Sequence, residues 1–101
     1  MEELEQELEN DLRDLIAQMK KEVYYPSLFV KVLNQKGARE TVINLVSGLS
    51  TDGFAKLLLA GRLDLTIEAF LIGNPQYKEL FGDKIYAQSE ARLKESGYDN
   101  I

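Results

Sequence analysis

The first 23 residues carry an apolar repeat that constrains the fold more than any other feature of the sequence. Seven apolar residues recur at spacings of three and four, the period of one face of an α-helix: Leu4, Leu8, Leu12, Leu15, Ile16, Met19 and Val23. Acids crowd the start of this segment, and Lys20 and Lys21 lie near its end, as the helix dipole favours. The pattern predicts an amphipathic helix over residues 1–23. Its apolar face would pack on a core, or serve as a dimerising coil or a docking arm.

The acidity of the chain is concentrated in the same segment. The net charge of the chain is −5; residues 1–14 hold seven acids and one base, whereas the other 87 residues carry a net charge of +1. An acidic arm suits a basic partner surface. We therefore expect Glu2, Glu5 and Glu9 to contact a protein partner, either a basic surface or a sister subunit bound through residues 1–23. A signal or transit peptide is not this acidic. We therefore predict a cytoplasmic protein.

Glycine and proline divide the middle of the chain into short helices. Pro26 disfavours helix in the residue before it and ends the first helix. Ser27 can cap a second helix that ends at Gly37, and a third helix closes near Gly48. The run Ser50-Thr51-Asp52 is a capping signal for a fourth helix.

The stretch from Gly53 to Gly73 holds the densest apolar run. Four charged residues interrupt it: Lys56, Arg62, Asp64 and Glu68. Inserting each Lys, Arg or Asp near a bilayer centre costs about 2.5–3.5 kcal/mol, so we expect no membrane span. We expect instead two helices at the hidden centre of the domain, with a turn at Gly61-Arg62 and with Asp64 or Thr66 capping the second.

The last third of the chain predicts two more helices. Asn74-Pro75 is typical of a helix start, and Asp83 begins a final helix that Gly97 ends. No strand-like alternation of useful length is present. The sequence therefore predicts an all-α fold, a compact orthogonal bundle of six to seven short helices with a longer amphipathic N-terminal helix. We expect one domain over residues 1–101, with 24–98 as its helical body.

Between Tyr24 and Tyr98 the chain resembles a small helical domain of unknown function found in uncharacterised bacterial proteins. Four runs carry the resemblance: YYPSLFVKVLNQKGA, DGFAKLLLAGRLDLTIEAFLI, YKELF and ARLKESGY. The last run departs from the family pattern, because Ala91, Arg92 and Leu93 are contiguous and no arginine precedes them. The resemblance implies an independent helical module of bacterial or phage origin, and it implies no activity.

The residue types that are absent weigh against an enzyme. The chain has no cysteine and no histidine, so it lacks a thiol nucleophile, thiolate ligands and the commonest general base. Asp64 and Glu68, four residues apart on a helix, could hold Mg²⁺ or act as a carboxylate pair. Only two carboxylates converge there, and Asp64 is better explained as a cap. We therefore predict no catalytic residue, no metal and no cofactor.

Glu68 lies in a segment that is apolar on nearly every side. A lone buried carboxylate is costly, so Glu68 should pair with an arginine or cap a neighbouring helix. The candidate partners are Arg62, Arg39 and Arg92. We expect Arg62, Asp64 and Glu68 to hold the fold; the alternative is that Glu68 meets an arginine or backbone amides of a partner.

The segment from Tyr24 to Arg39 predicts a mixed aromatic and basic binding surface. Tyr24 and Tyr25 are adjacent and project differently, so at least one should be exposed. The basic residues follow within the next helix and turn: Lys31, Lys36 and Arg39. Together with the acidic helix, this surface favours a non-catalytic protein-interaction module, such as an adaptor or an inhibitor of the immunity-protein kind.

A helix–glycine–helix outline in FVKVLNQKGARETVINLV leaves a helix-turn-helix DNA-binding protein as the alternative. Nucleic-acid binding generally needs several phosphate contacts. The second helix of this outline offers few, and residues 15–101 carry only +1. We therefore expect a protein partner rather than nucleic acid.

Overall fold

The computed structural model describes residues 2–48 and 52–98. This part of the chain forms six α-helices: α1 (Glu2–Glu22), α2 (Ser27–Lys36), α3 (Ala38–Ser47), α4 (Asp52–Leu59), α5 (Ile67–Ile72) and α6 (Lys78–Glu95). Two short 3-10 turns, Leu63–Leu65 and Pro75–Tyr77, flank α5, and no described residue lies in a strand. The radius of gyration is 12.5 Å, as expected for a compact chain of this size. The predicted all-α bundle with a longer N-terminal helix is confirmed.

Helix α1 packs its apolar face into the core of its own chain. Leu8 and Leu12 are completely buried, and Met19 is 3% exposed. The Tyr77 hydroxyl donates a hydrogen bond to the carboxylate of Asp11, which joins α1 to the second 3-10 turn. The residues that would form the seam of a coil therefore have partners within the chain. A homodimer through residues 1–23 stays a prediction, and it would have to use the polar face.

Helices α2 and α3 are joined by a single residue, Gly37, whose φ of +86° is a conformation that favours glycine. The predicted end of α2 is thereby confirmed. The expectation that Ser27 caps α2 is wrong, because Pro26 occupies the capping position and no side chain caps this end. Ser27 is already the first helical residue. The capping signal predicted at Ser50-Thr51 lies outside the described residues.

The apolar stretch after Gly53 contains the two predicted helices, but only the second lies at the centre. The chain turns at Gly61, which has a φ of +71°, and the Thr66 hydroxyl accepts the Ala69 N–H at 3.0 Å to cap α5. Leu71 of α5 is completely buried, whereas Leu59 of α4 is 87% exposed. The expectation that the whole stretch is hidden is therefore wrong, since α4 turns only one face inward.

The last helix is interrupted where the sequence predicts a helix start. Gly82, with φ 77° and ψ 178°, breaks α6 just before Asp83. Four residues of the helical part after this break are buried: Ile85, Tyr86, Ser89 and Leu93. Pro75 is the first residue of the second 3-10 turn, as expected for a helix start. No helix in the described part of the chain is long and apolar enough to cross a membrane.

Candidate interaction surface

A groove lies between α4 and the turn that joins α1 to α2. We call it the corner groove, and its lining includes Tyr24, Leu28, Phe29, Phe54, Lys56, Leu57, Ile67 and Glu68. Its volume is ≈ 380 Å³. Ligand pockets span roughly 300–1,000 Å³, so the corner groove is at the small end of that range. It has room for a few apolar groups of a ligand or partner.

Apolar side chains are exposed at and beside the corner groove. Leu28, on its edge, is 52% exposed, and Tyr25, next to the lining residue Tyr24, is 53% exposed. Phe29 is 5% exposed, because α2 turns this neighbour of Leu28 toward the core. Exposed apolar side chains beside a depression are typical of interaction sites. These side chains give the corner groove the character of a docking surface.

Two lysines lie over the tyrosines of the same corner. The ammonium nitrogen of Lys56 is 5.1 Å from the centre of the Tyr24 ring, and that of Lys20 is 6.0 Å from the Tyr25 ring. Both distances fall within the range of cation–π contacts. Burial raises the pKa of the Tyr24 hydroxyl above its usual value, so Tyr24 is neutral at physiological pH. The edge of the corner groove is therefore both aromatic and cationic.

Glu68 pairs with Arg92 beneath the corner groove. The distance from Arg92 Nη1 to Glu68 Oε2 is 2.8 Å, and the two side chains are 22% and 5% exposed. Burial raises the pKa of Glu68, while its own backbone N–H and the Arg92 guanidinium act in the opposite direction. Arg92 also donates hydrogen bonds to the carbonyls of Leu45 and Gly48. Of the three arginines considered from the sequence, Arg92 is the partner, and the pair connects α5 and α6 with the end of α3.

Arg62 and Asp64 form a separate cluster at the end of α1. Arg62 contacts Glu22 at 2.7 Å and Asp64 at 3.0 Å. Hydrogen bonds from Arg62 hold the pKa of Asp64 below its usual value. Asp64 therefore belongs to an ion-pair cluster and does not cap α5. Of the two caps predicted for α5, Asp64 is wrong and Thr66 is confirmed. The carboxylate pair considered for Mg²⁺ is divided, because Asp64 and Glu68 contact different arginines. No group of three or more potential metal ligands occurs among the residues the structure describes.

The predicted acidic and basic candidates, with the exception of Lys31, line one depression at the start of α1. Glu2, Glu5 and Glu9 line it together with Lys36 and Arg39. Arg39 lies 3.6 Å from Glu5, and Arg13 lies 3.1 Å from Glu9. Part of the charge that was expected to meet a partner is therefore paired within the chain.

The predicted aromatic and basic surface is divided along α2. Tyr24 and Tyr25 lie before its start, whereas Lys36 is its last residue, about 14 Å further along the helix axis. Lys31 is exposed between them. Leu28, Lys20 and Lys56 were not singled out from the sequence. A partial signal for Leu28 was present, because neighbouring residues of a helix lie about 100° apart and Leu28 and Phe29 therefore point in different directions.

Comparisons with known proteins add no relative. No protein-family model matches the chain, and no curated protein and no solved structure shows significant similarity to it. The resemblance of residues 24–98 to a bacterial helical domain stays a prediction.

Proposed function

We propose that the chain is a non-catalytic protein-interaction module and that the corner groove is its main contact surface. The observation that carries the proposal is the exposure of Leu28 and Tyr25 beside an apolar depression. Aromatic and apolar residues that fill pockets dominate the energy of protein interfaces. A partner that fills the corner groove and also covers its edge would remove both from water.

The binding free energy from this apolar contact is modest. Fully burying a leucine contributes about 1.5–3 kcal/mol, and Leu28 is already half-buried, so its further burial contributes about 1 kcal/mol. The corner groove is also small compared with a standard interface, which buries roughly 800 Å² on each partner. Tight binding therefore needs contacts beyond the groove. Charged side chains elsewhere on the surface can provide them.

The exposed acids of α1 supply a second contact in this proposal. Glu2, Glu3, Glu7 and Asp14 are exposed and form no ion pair within the described part of the chain. A negative surface of this kind attracts a basic partner and speeds encounter more than it adds affinity. An adaptor, or an inhibitor of a protein with a basic surface, would use it in this way. The bacterial or phage origin, which the resemblance implies, and a cytoplasmic location belong to the same proposal.

Affinity capture with matched variants tests the proposal. The Leu28→Asp variant places a charge on the edge of the corner groove, and Leu59→Asp places the same charge on a leucine that is 87% exposed and does not line the groove. We expect a partner captured from the native cell by the parent to be retained by Leu59→Asp and lost by Leu28→Asp. Capture that survives both changes would reject the corner groove as the contact surface.

The alternative function is DNA binding through α2 and α3. The two helices pack against each other across Gly37, which retains the outline of the motif. A helix-turn-helix usually has a turn of about three to four residues, and here one residue separates the helices. Arg39, the main candidate for a phosphate contact, lies beside Glu5. A gel shift with random duplex DNA tests this function, and no retardation at about 50 mM salt would reject it.

A further inference from the structure

We propose that the segment bound in the corner groove is an amphipathic helix whose apolar face is flanked by carboxylates. This inference rests on the proposed function, since it names the partner for the same groove. It follows from the two lysines over the tyrosines at this corner, Lys20 and Lys56, which are cationic although the chain as a whole is acidic.

The cations at this corner are available to a partner. Neither Lys20 nor Lys56 forms an ion pair with any residue that the structure describes. Each ammonium group instead lies over the face of a tyrosine ring. A carboxylate from a partner can approach from the solvent side while the ring contact is kept. The pairing would then be charge-assisted and partly shielded from water.

Two acids near this corner whose side chains the structure describes are already paired. Glu68 contacts Arg92 at 2.8 Å, and Glu22, near the end of α1, contacts Arg62 at 2.7 Å. These described carboxylates therefore do not compete for the two lysines. A basic partner segment would meet two unpaired ammonium groups here, and like charges at an interface are unfavourable. The charge at the corner groove thus selects for an acidic segment.

The helical surroundings of the corner groove favour a helix in this role. A peptide that binds as an added strand needs an exposed sheet edge, and residues 2–48 and 52–98 contain no strand. A helix instead places apolar side chains three and four positions apart into a groove between helices. With ≈ 380 Å³ available, the groove takes only a small part of such an apolar face. Acidic residues beside those anchors would then lie near Lys20 and Lys56.

Two synthetic peptides of opposite charge test the inference. Both have about 16 residues and identical leucines at helical spacing, and the polar positions are all glutamate in one and all lysine in the other. Binding to the intact protein is followed by chemical-shift changes at Leu28 and Leu57, with titration to millimolar concentration. We expect the glutamate peptide to bind at least about fivefold more tightly, with the difference shrinking as salt is added.

Two double variants of the protein test whether Lys20 and Lys56 cause the preference for the glutamate peptide. Lys20→Gln/Lys56→Gln removes the two corner cations, and Lys36→Gln/Lys84→Gln removes the same charge from exposed lysines that do not line the corner groove. The first variant should weaken the glutamate peptide about three- to tenfold, as expected for two exposed charge pairs, and the second should leave it nearly unchanged. Equal weakening by both variants would overturn the inference, because net charge and not the corner would be responsible.

The remaining outcomes separate the inference from the proposed function. Equal binding of the two peptides, or preference for the lysine peptide, overturns the acidic partner and leaves the corner groove as a docking surface. Binding of neither peptide overturns the helix-docking inference, while the capture experiment with Leu28→Asp still decides the proposed function.

Discussion

The guanidinium of Arg92 meets the buried carboxylate of Glu68, with 2.8 Å between Nη1 and Oε2. The same guanidinium donates to the carbonyls of Leu45 and Gly48 and lies 5.7 Å from the centre of the Phe54 ring. One side chain therefore connects α3, α4, α5 and α6 beneath the corner groove. The two members of the pair are not equivalent, because Arg92 has other acceptors and Glu68 has no other cation within 4 Å among the described residues.

Removing Arg92 should cost more stability than neutralising Glu68. Arg92→Met leaves a carboxylate that is 5% exposed without its cation, which costs about 3 kcal/mol, or roughly 15 °C in melting temperature for a domain of this size. Glu68→Gln loses the pairing but also relieves the burial of a charge, so its effect should stay within about 1 kcal/mol. Urea unfolding at pH 7 measures both, with Lys94→Met as the exposed control. Equal costs for the two changes would refute this asymmetry.

The same pair gives a defined pH dependence. Burial raises the pKa of Glu68 in the folded state above the unfolded value of 4.5. The stability linked to this group is then fully present below pH 4.5 and is lost as the pH rises through the folded-state pKa. The unfolding free energy of the parent, minus that of Glu68→Gln, should fall as the pH rises from 4.5 through the folded-state pKa. A difference that stays constant or grows over this range would contradict a raised pKa.

Tyr77 should be more sensitive to loss of its hydroxyl than an exposed tyrosine. Its side chain is completely buried, and the hydroxyl donates to Asp11 at 2.5 Å. Hydrogen bonds to charged groups contribute about 1.5–3 kcal/mol, so Tyr77→Phe should lower the unfolding free energy by about 2 kcal/mol. Tyr25→Phe, at a side chain that is 53% exposed, is the matched control and should be nearly neutral. Thermal and urea unfolding check both variants, and a Tyr77→Phe protein as stable as the parent would exclude this bond as a support of α1.

Replacing Gly82 should lower the stability of the protein because of the backbone conformation at this position alone. Its φ of 77° and ψ of 178° are almost restricted to glycine, although no atom lies within 4 Å of the position that a Cβ would take. Gly82→Ala should therefore cost about 1–3 kcal/mol. Gly73→Ala is the control, because Gly73 has φ −79° and ψ −5° and a Cβ there makes only ordinary contacts. If calorimetry gave the two variants equal melting temperatures, the break in α6 would not depend on this glycine.

The helices could be predicted because their signals are local. The repeat through Leu8 and Leu12 needs no tertiary information, and Gly37 and Gly82 end or break helices through their own backbone conformations. Local signals also indicate Asp64 or Thr66 as the residue that caps α5. The structure selects Thr66, because Arg62 engages Asp64.

The candidate site could not be predicted because it depends on which faces of the helices meet. The sequence shows that α4 is rich in apolar residues, but it does not show that Leu59 is exposed. The partner of Glu68 had to be chosen among three arginines, and only packing brings Arg92 to it. Lys20 and Lys56 are far apart in the chain, and the fold places them over two adjacent tyrosines, Tyr25 and Tyr24. Charge counting therefore indicated an acidic molecule and missed its cationic groove.

Amide hydrogen exchange of the protein, free and bound to its captured partner, tests the central claim most directly. It separates the corner groove from the two other candidate surfaces in one measurement. We expect binding to slow exchange in residues 24–31 and 53–58, which border the corner groove, with smaller changes elsewhere. Slowed exchange confined to the acidic residues 2–14, or to the α2–α3 turn at residues 35–41, would contradict the assignment of the corner groove as the main contact surface.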